Sequence, residues 1–337
     1  MGDEIIKYYI YKEEDMIVKE LRVPERILAL EALLRRLEEG SPDWHRVKED
    51  LAKRWAGYYG ELSLDYYLQM LPEKEYLVLH DLRLGLSGSF FQIDLLVLHA
   101  HFALILEVKN ILGTLVFDKQ FSQMIRTQDE KEEGFPDPIA QAEQHKKQLA
   151  RWFAERSIPL PVEALVVISK PSTVLKANSP AISRTVIHSH RLLGKREDLS
   201  GRYQQALLDA RELRKTSRLL IKHHTPEKID ILSRMRVSRE NVRMGVHCGG
   251  CGHIPVIRVY GTWLCPKCGL KDKSAHIAAL KDYFLLFGKE ITNGGFREFA
   301  GVESVHTASN ILASSNLVVS GRGKGRKYSA PADWWNG

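Results

Sequence analysis

The sequence predicts an α/β protein: a mixed sheet flanked by helices, followed by a zinc ribbon and a small winged-helix-like domain. Three observations predict it. Strand-like apolar runs between Tyr76 and Phe117 are bracketed by segments with helical spacing of apolar residues. All four cysteines fall in two Cys-x2-Cys pairs between Cys248 and Cys268. Beyond them, two short helical segments end in a basic, glycine-rich hairpin. At 337 residues and 44% hydrophobic, the chain can bury a large core and is expected to form two or three domains.

Residues 1–50 read as an N-terminal helical arm that packs on the domain following it. Pro24 suits a first helical turn and starts a run with apolar residues at helical spacing through Leu37. Gly40-Ser-Pro-Asp43 breaks that helix. A second helix is expected from about Trp44 to Trp55, and another from Gly60 to Met70. Residues 51–190 form the expected α/β domain. Its strands are Tyr76–His80, two runs within Gln92–Lys109, Gly113–Phe117 and Ala164–Ser169, with a long helix from the Pro136-Asp-Pro138 signal to about Arg156. Residues 191–244, helical and basic, read as a linker.

The run from Gln92 to Lys109 carries the chemistry. It is two apolar strands joined by a turn near Ala100-His101. With an even-numbered turn centred there, residues whose numbers sum to 201 face each other, and Asp94 lies opposite Glu107 with Cβ atoms about 5 Å apart. An odd turn would place the two carboxylates on opposite faces. Like charges in an apolar hairpin repel, and a hard divalent cation such as Mg2+ or Mn2+ removes that cost. Lys109, two residues beyond Glu107, shares its face. Two carboxylates and a lysine equip a site for metal-assisted phosphodiester hydrolysis. His99 and His101, at the turn, are expected to be exposed and are given no role.

Cys248, Cys251, Cys265 and Cys268 have the spacing of a closed four-thiolate zinc site. Gly252 and Gly269 follow the second cysteine of each pair and permit the tight turns such a site needs. The site, over residues 245–275, is expected to be structural because it has no open ligand position. Residues 276–337 follow the winged-helix pattern. Ser304, His306, Thr307, Ser309 and Asn310 fall on the candidate recognition helix, and Arg322, Lys324, Arg326 and Lys327 on the wing, where they would meet phosphates.

The formal net charge is +7, and it is uneven: from Arg214 onward there are 20 Lys/Arg against 9 Asp/Glu. A basic C-terminal third points to nucleic acid as its partner. No apolar run approaches the length of a membrane span, and the start of the chain lacks the basic and apolar regions of a signal peptide. A cytoplasmic protein with no membrane partner is expected.

With these residues in place, residues 50–165 resemble the nuclease-related domain (NERD) family of the PD-(D/E)xK nuclease superfamily. The matching pieces are Ala56-Gly-Tyr-Tyr-Gly-Glu61, Gln92-Ile-Asp94, Leu106-Glu-Val-Lys-Asn110 and Pro138-Ile-Ala-Gln-Ala-Glu-Gln-His145. The resemblance implies a restriction-endonuclease-like core and Mg2+-dependent cleavage of DNA or RNA, DNA being favoured. It makes Glu61 the helix carboxylate, Asp94 and Glu107 the metal ligands, Lys109 the catalytic lysine, and Gln141 a polar helix residue facing the site. The chain carries Gln92-Ile-Asp94 rather than a Pro-Asp ahead of the first acid, a departure common in the superfamily. Many nucleases of the superfamily cut both strands as dimers, which leaves room for a homodimer. His145, one turn beyond Gln141, reads as a surface or core histidine. The alternative function is a non-catalytic DNA-binding or regulatory protein that uses the nuclease fold as scaffold. RNA processing through the ribbon finds no base-stacking aromatic pattern in the sequence.

Overall fold

The computed structural model describes residues 16–177, 180–331 and 334–335. In chain order the elements begin with β1 (Ile17–Lys19), α1 (Glu25–Arg36), α2 (Pro42–Leu62) and α3 (Asp65–Leu68). Strands β2 (Tyr76–Leu86), β3 (Ser89–His99), β4 (Ala103–Lys109), β5 (Thr114–Asp118), β6 (Gln123–Gln128) and β7 (Lys131–Pro136) follow. Next come α4 (Pro138–Ala154), β8 (Val162–Ile168), β9 (Val174–Lys176), α5 (Pro180–Thr185) and β10 (Val186–His188). Helices α6 (Leu192–Arg202), α7 (Ala210–His223) and α8 (Ile231–Met235) lead to β11 (Ile257–Val259), β12 (Thr262–Leu264) and β13 (Lys271–Asp272). The last elements are α9 (Ala275–Leu286), β14 (Glu290–Thr292), α10 (Asn293–Ala300), α11 (Val305–Ser314), β15 (Val318–Ser320) and β16 (Lys327–Ser329). Among the described residues no helix is long and apolar enough to cross a membrane.

The chain forms two compact units, one of residues up to 22 with 56–227, the other of 23–55 with 228–337. These cuts differ from the boundaries expected at 50, 190 and 244. Helix α1 belongs to the second unit. Leu30, Leu33 and Leu37 share a core with Ile231, Met235 and Leu286. Residues 1–15 of the expected arm lie outside the described residues. The α6–α7 stretch, expected to be linker, belongs to the first unit, where Leu208, Leu213 and Leu220 join the sheet's core.

In the first unit a six-stranded mixed sheet runs in the order β1-β2-β3-β4-β8-β10. The β2–β3–β4 meander is antiparallel, whereas β8 and β10 continue parallel to β4. Both faces are covered, so β4 reads as a continuous apolar run rather than an alternating one. Ala103 and Ile105 face the core beneath α4 and α7, and Leu104, Leu106 and Val108 face the opposite core. A second sheet, β7-β6-β5-β9, contains a hairpin that the sequence did not betray, because Lys131-Glu-Glu133 breaks the apolar alternation.

Helix α2 is continuous where two helices were expected. Gly57 and Gly60 invite a break, yet both sit inside it. His99, expected to be exposed, is buried and stacked on Tyr76 at 4.6 Å between ring centroids. Burial pushes its pKa down to about 4.

In the second unit, β11-β12-β13 form a small antiparallel sheet beside the four cysteines, the arrangement of a metal ribbon. Helices α9, α10 and α11 and the antiparallel sheet β14-β16-β15 complete the C-terminal part. Helix α9 and strand β14 were not foreseen, since α9 is apolar almost all round and lacks a helical period. Arg36 is fully buried in this unit. It donates to Asp282 at 2.8 Å and to the carbonyls of Arg243 and Gly245, with Phe299 beneath its guanidinium.

Candidate active site and four-cysteine cluster

The β3–β4 turn has the even length on which the opposition of Asp94 and Glu107 depends. The paired residues Leu95–Leu106, Leu96–Ile105, Val97–Leu104 and Leu98–Ala103 all sum to 201. Asp94 and Glu107 stand one step beyond the last pair of that ladder, and Asp94 Oδ2 accepts from Val108 N at 2.9 Å. On the other side, β2 and β3 pair at His80–Leu95 and Leu82–Ile93 but not between Asp81 and Asp94. Asp81 has a left-handed φ of +47°, an irregularity of the kind that re-aims side chains next to functional sites. Lys19 Nζ bridges the carbonyls of His80 and Asp81 at 2.8 and 2.9 Å and pins this distortion. Gln92 Nε2 donates to Asp81 Oδ1 at 2.5 Å.

Glu107 is 1% exposed. Its Oε1 accepts from Lys109 Nζ at 2.6 Å, and Lys109 Nζ also donates to Gln141 Oε1 at 3.2 Å. Its Oε2 lies 3.3 Å from His145 Nδ1 without hydrogen-bond geometry, and so remains a buried, unpartnered oxygen. Gln141 and His145 reach the site because α4 begins at Pro138, capped by Asp137, and packs Ala142 and Leu149 onto the sheet. Residues four apart then share a face. His145, whose spacing from Gln141 allowed it the same face although a surface or core role was expected, lies against Glu107.

The helix carboxylate arrives by close packing. Asn110 Nδ2 donates to the Ala56 carbonyl at 2.5 Å, tying α2 to the end of β4. A Cβ at Gly60 would sit 2.6 Å from Asn110 Cβ and 3.2 Å from Ser169 Oγ. Gly60→Ala is therefore expected to push Glu61 out of place, lowering stability by about 1–3 kcal/mol and any catalytic rate at least tenfold. A thermal melt beside a rate measurement checks it, and an unchanged melt would show that the contact carries no such weight.

Electrostatics mark the same corner. Burial, then the charges of Asp94, Asp81 and Glu107, push the Glu61 carboxyl up to about 9. Burial and Glu107 push Asp94 up to about 7. Burial also works against ionisation of Glu107, but His145 and Lys109 outweigh it and hold that carboxyl below its usual range. One buried acid, Glu107, beside the half-buried Asp94 and Glu61, with few cations and one carboxylate oxygen without a hydrogen bond, fits a hard divalent ion. Glu107 and Asp94 could hold it, with Glu61 nearby. Among the described residues, the four cysteines are the set of potential ligands whose donor atoms all lie within 4.8 Å of one another. A hard divalent ion keeps several waters and so needs only a few protein carboxylates.

In the cysteine cluster, Cys248–Cys268 and Cys251–Cys265 have Sγ separations of 3.6 Å. A tetrahedron with metal–sulfur distances of about 2.3 Å needs sulfurs about 3.8 Å apart, so the set fits. The backbone of each knuckle serves its sulfurs: Gly250 N lies 3.4 Å from Cys248 Sγ, and Cys268 N lies 3.5 Å from Cys265 Sγ. Gly252 and Gly269 adopt φ of +70° and +76° and close the two turns onto the carbonyls of Cys248 and Cys265.

Of the other candidates, His306 and Asn310 lie exposed on α11, with His306 Nε2 3.2 Å from Asn310 Nδ2. Ser304 caps that helix, accepting from Thr307 N, and Ser309 accepts from Asn293. Arg322 and Arg326 are exposed, Lys327 is bound to Glu290 at 2.7 Å, and the Lys324 side chain lies outside the described residues.

Comparison with known proteins returns one family. Neither the curated proteins nor the solved structures contain a match. The family model of the nuclease-related domain matches residues 56–169, a span that runs from Ala56, the residue Asn110 grips, to Ser169 at the end of β8. It includes Glu61, Asp94, Glu107, Lys109, Gln141 and His145. Over residues 56–169, about a third of its length, the chain matches the nuclease-related domain, NERD.

Proposed function

We propose that the chain is a metal-dependent nuclease that hydrolyses phosphodiester bonds, of DNA before RNA, with C-terminal modules that hold the nucleic acid. The observation that carries this reading is the buried, unpartnered Glu107 Oε2 beside Asp94 and Lys109 within a nuclease-related domain. Mg2+ or Mn2+, when bound by Glu107 and Asp94, would polarise the scissile phosphate and acidify a water. Lys109 would orient the attacking water and balance charge building on the phosphate. Gln141 holds Lys109 through its oxygen and keeps its amide hydrogens for a phosphate oxygen. His145, with Nδ1 3.3 Å from Oε2, favours the ionised form of Glu107. The test is cleavage of plasmid, linear and single-stranded DNA with Mg2+ or Mn2+, using Lys109→Ala as the blank. Cleavage lost in the variant supports the nuclease; DNA bound but cut by neither protein would favour the scaffold alternative.

The C-terminal elements support a winged-helix reading. Helix, strand, two helices and two strands follow in that order, and β14 lies beside β16 in the three-stranded sheet. On this reading α11 enters the groove with His306 and Asn310, while Arg322 and Arg326 meet phosphates. Replacing both arginines by alanine is expected to flatten the plot of log affinity against log salt by about 2, because each phosphate contact contributes about 0.9 to the slope. An unchanged slope would remove the wing from the interface. In the ribbon, the four thiolates would hold a structural Zn2+.

A further inference from the structure

The hairpin of the ribbon ends in a residue that its fold does not favour. Strands β11 and β12 are joined by the two-residue turn Tyr260-Gly261, with φ of +43° and +82°. Two positive φ values are the pattern of a type I′ hairpin turn, whose first position favours Asn, Asp or Gly. A bulky aromatic there is strained. Among the described non-glycine residues at positive φ, Tyr260 is the one aromatic. Nor does the fold shelter the ring, which is 104% exposed. Backbone conformation and burial therefore both argue against tyrosine at this position, and the side chain's use lies outside the fold.

Its surroundings say what that use is. Arg258, Trp263 and Asp272 form one cross-strand row, and Trp263 is buried in the core of the unit. The opposite row is Ile257, Leu264 and Lys271, of which Ile257 and Lys271 are exposed. Exposed Lys267 and Lys273 add positive charge. The acid in this stretch, Asp272, is occupied by Ser274 N and Oγ, each at 2.7 Å. An exposed aromatic at the hairpin tip and three exposed lysines in the same small ribbon supply the two elements of single-strand recognition, stacking on bases and charge for phosphates.

We propose that Tyr260 stacks on an unpaired base of a nucleic-acid strand, with Lys267, Lys271 and Lys273 contacting its phosphates. The proposal rests on the nucleic-acid reading given above and makes the ribbon a single-strand contact rather than a spacer. The test uses the full-length, zinc-loaded protein and measures affinity for a labelled oligothymidine and for a duplex of equal length. Wild type is compared with Tyr260→Asn and Tyr260→Trp, each also melted thermally. The asparagine variant should melt no lower than wild type, because asparagine tolerates the left-handed turn, yet bind the single strand about tenfold more weakly. The tryptophan variant should keep its affinity, and duplex binding should hardly change in either. Full single-strand affinity in a folded Tyr260→Asn protein would overturn the stacking role and leave the ring to a protein partner. A wild type that binds neither DNA would overturn the nucleic-acid reading itself.

Discussion

Lys109→Ala and Asp94→Asn are both expected to lower metal-dependent cleavage by about a hundredfold or more, while moving the stability of the metal-free protein in opposite directions. Lys109 donates to Glu107 Oε1 at 2.6 Å, and Glu107 is 1% exposed. Removing the ammonium takes the donor from Oε1 of a buried carboxylate and leaves His145 Nδ1, 3.3 Å from Oε2, as the nearby group that offsets its charge. Stability should fall by about 3 kcal/mol, the scale for breaking one side of a buried ion pair. Asp94 is the reverse case. Burial and Glu107 disfavour its charge, pushing its pKa up to about 7. Each unit of such a shift is about 1.4 kcal/mol of penalty on the ionised form. Asparagine keeps an oxygen that can accept from Val108 N and sheds the charge, so metal-free Asp94→Asn should be more stable, on the order of 1 kcal/mol. Added Mg2+ should raise the melting temperature of wild type and leave that of Asp94→Asn where it is. Denaturant titrations with and without Mg2+ measure both effects. If the two variants lose stability alike, the carboxylates are not the crowded cation site described above.

Loss of the ribbon metal is expected to unfold residues 245–275. Cys248 and Cys265 are buried in the cluster that contains Trp263, Phe284, Phe296 and Phe299. Four thiolates brought together without a cation repel one another. Structural zinc sites of this kind supply about 10–16 kcal/mol of apparent binding free energy at neutral pH, which serves as folding free energy. One Zn2+ per chain should therefore copurify, and Cys265→Ser or a strong chelator should open the segment to protease. Limited proteolysis with mass mapping reads this out directly. A ribbon that stays protected after its zinc has been stripped would mean that the apolar cluster alone holds it.

Local chemistry made much of this protein legible in advance. Period-2 and unbroken apolar runs located β2, β3, β4 and β8; the sequence left the parity of the β3–β4 turn open, and the even register puts Asp94 and Glu107 on one face. The Cys-x2-Cys pairs announced the metal ribbon together with the glycines that close it. Elements without a period of their own stayed hidden. Helix α9 is apolar almost all round, and the β6–β7 hairpin is charged where alternation would have marked it. The glycines of α2 read as a break, although Gly60 is there because Asn110 comes within 2.6 Å of where its Cβ would be.

The sequence by itself determined which residues lie near one another along strand and helix: Glu107 with Lys109, Gln141 with His145, and each cysteine with its pair. These follow from fixed backbone periods and from short turns. Only the tertiary structure decided that His145 faces Glu107, that Lys19 holds the distorted backbone at Asp81, that α1 packs on α8 and α9, and that Tyr260 stands bare at a strained turn. Each is a contact or an exposure produced by close packing of distant segments. Packing depends on the shapes of all the side chains at once, which no local period encodes.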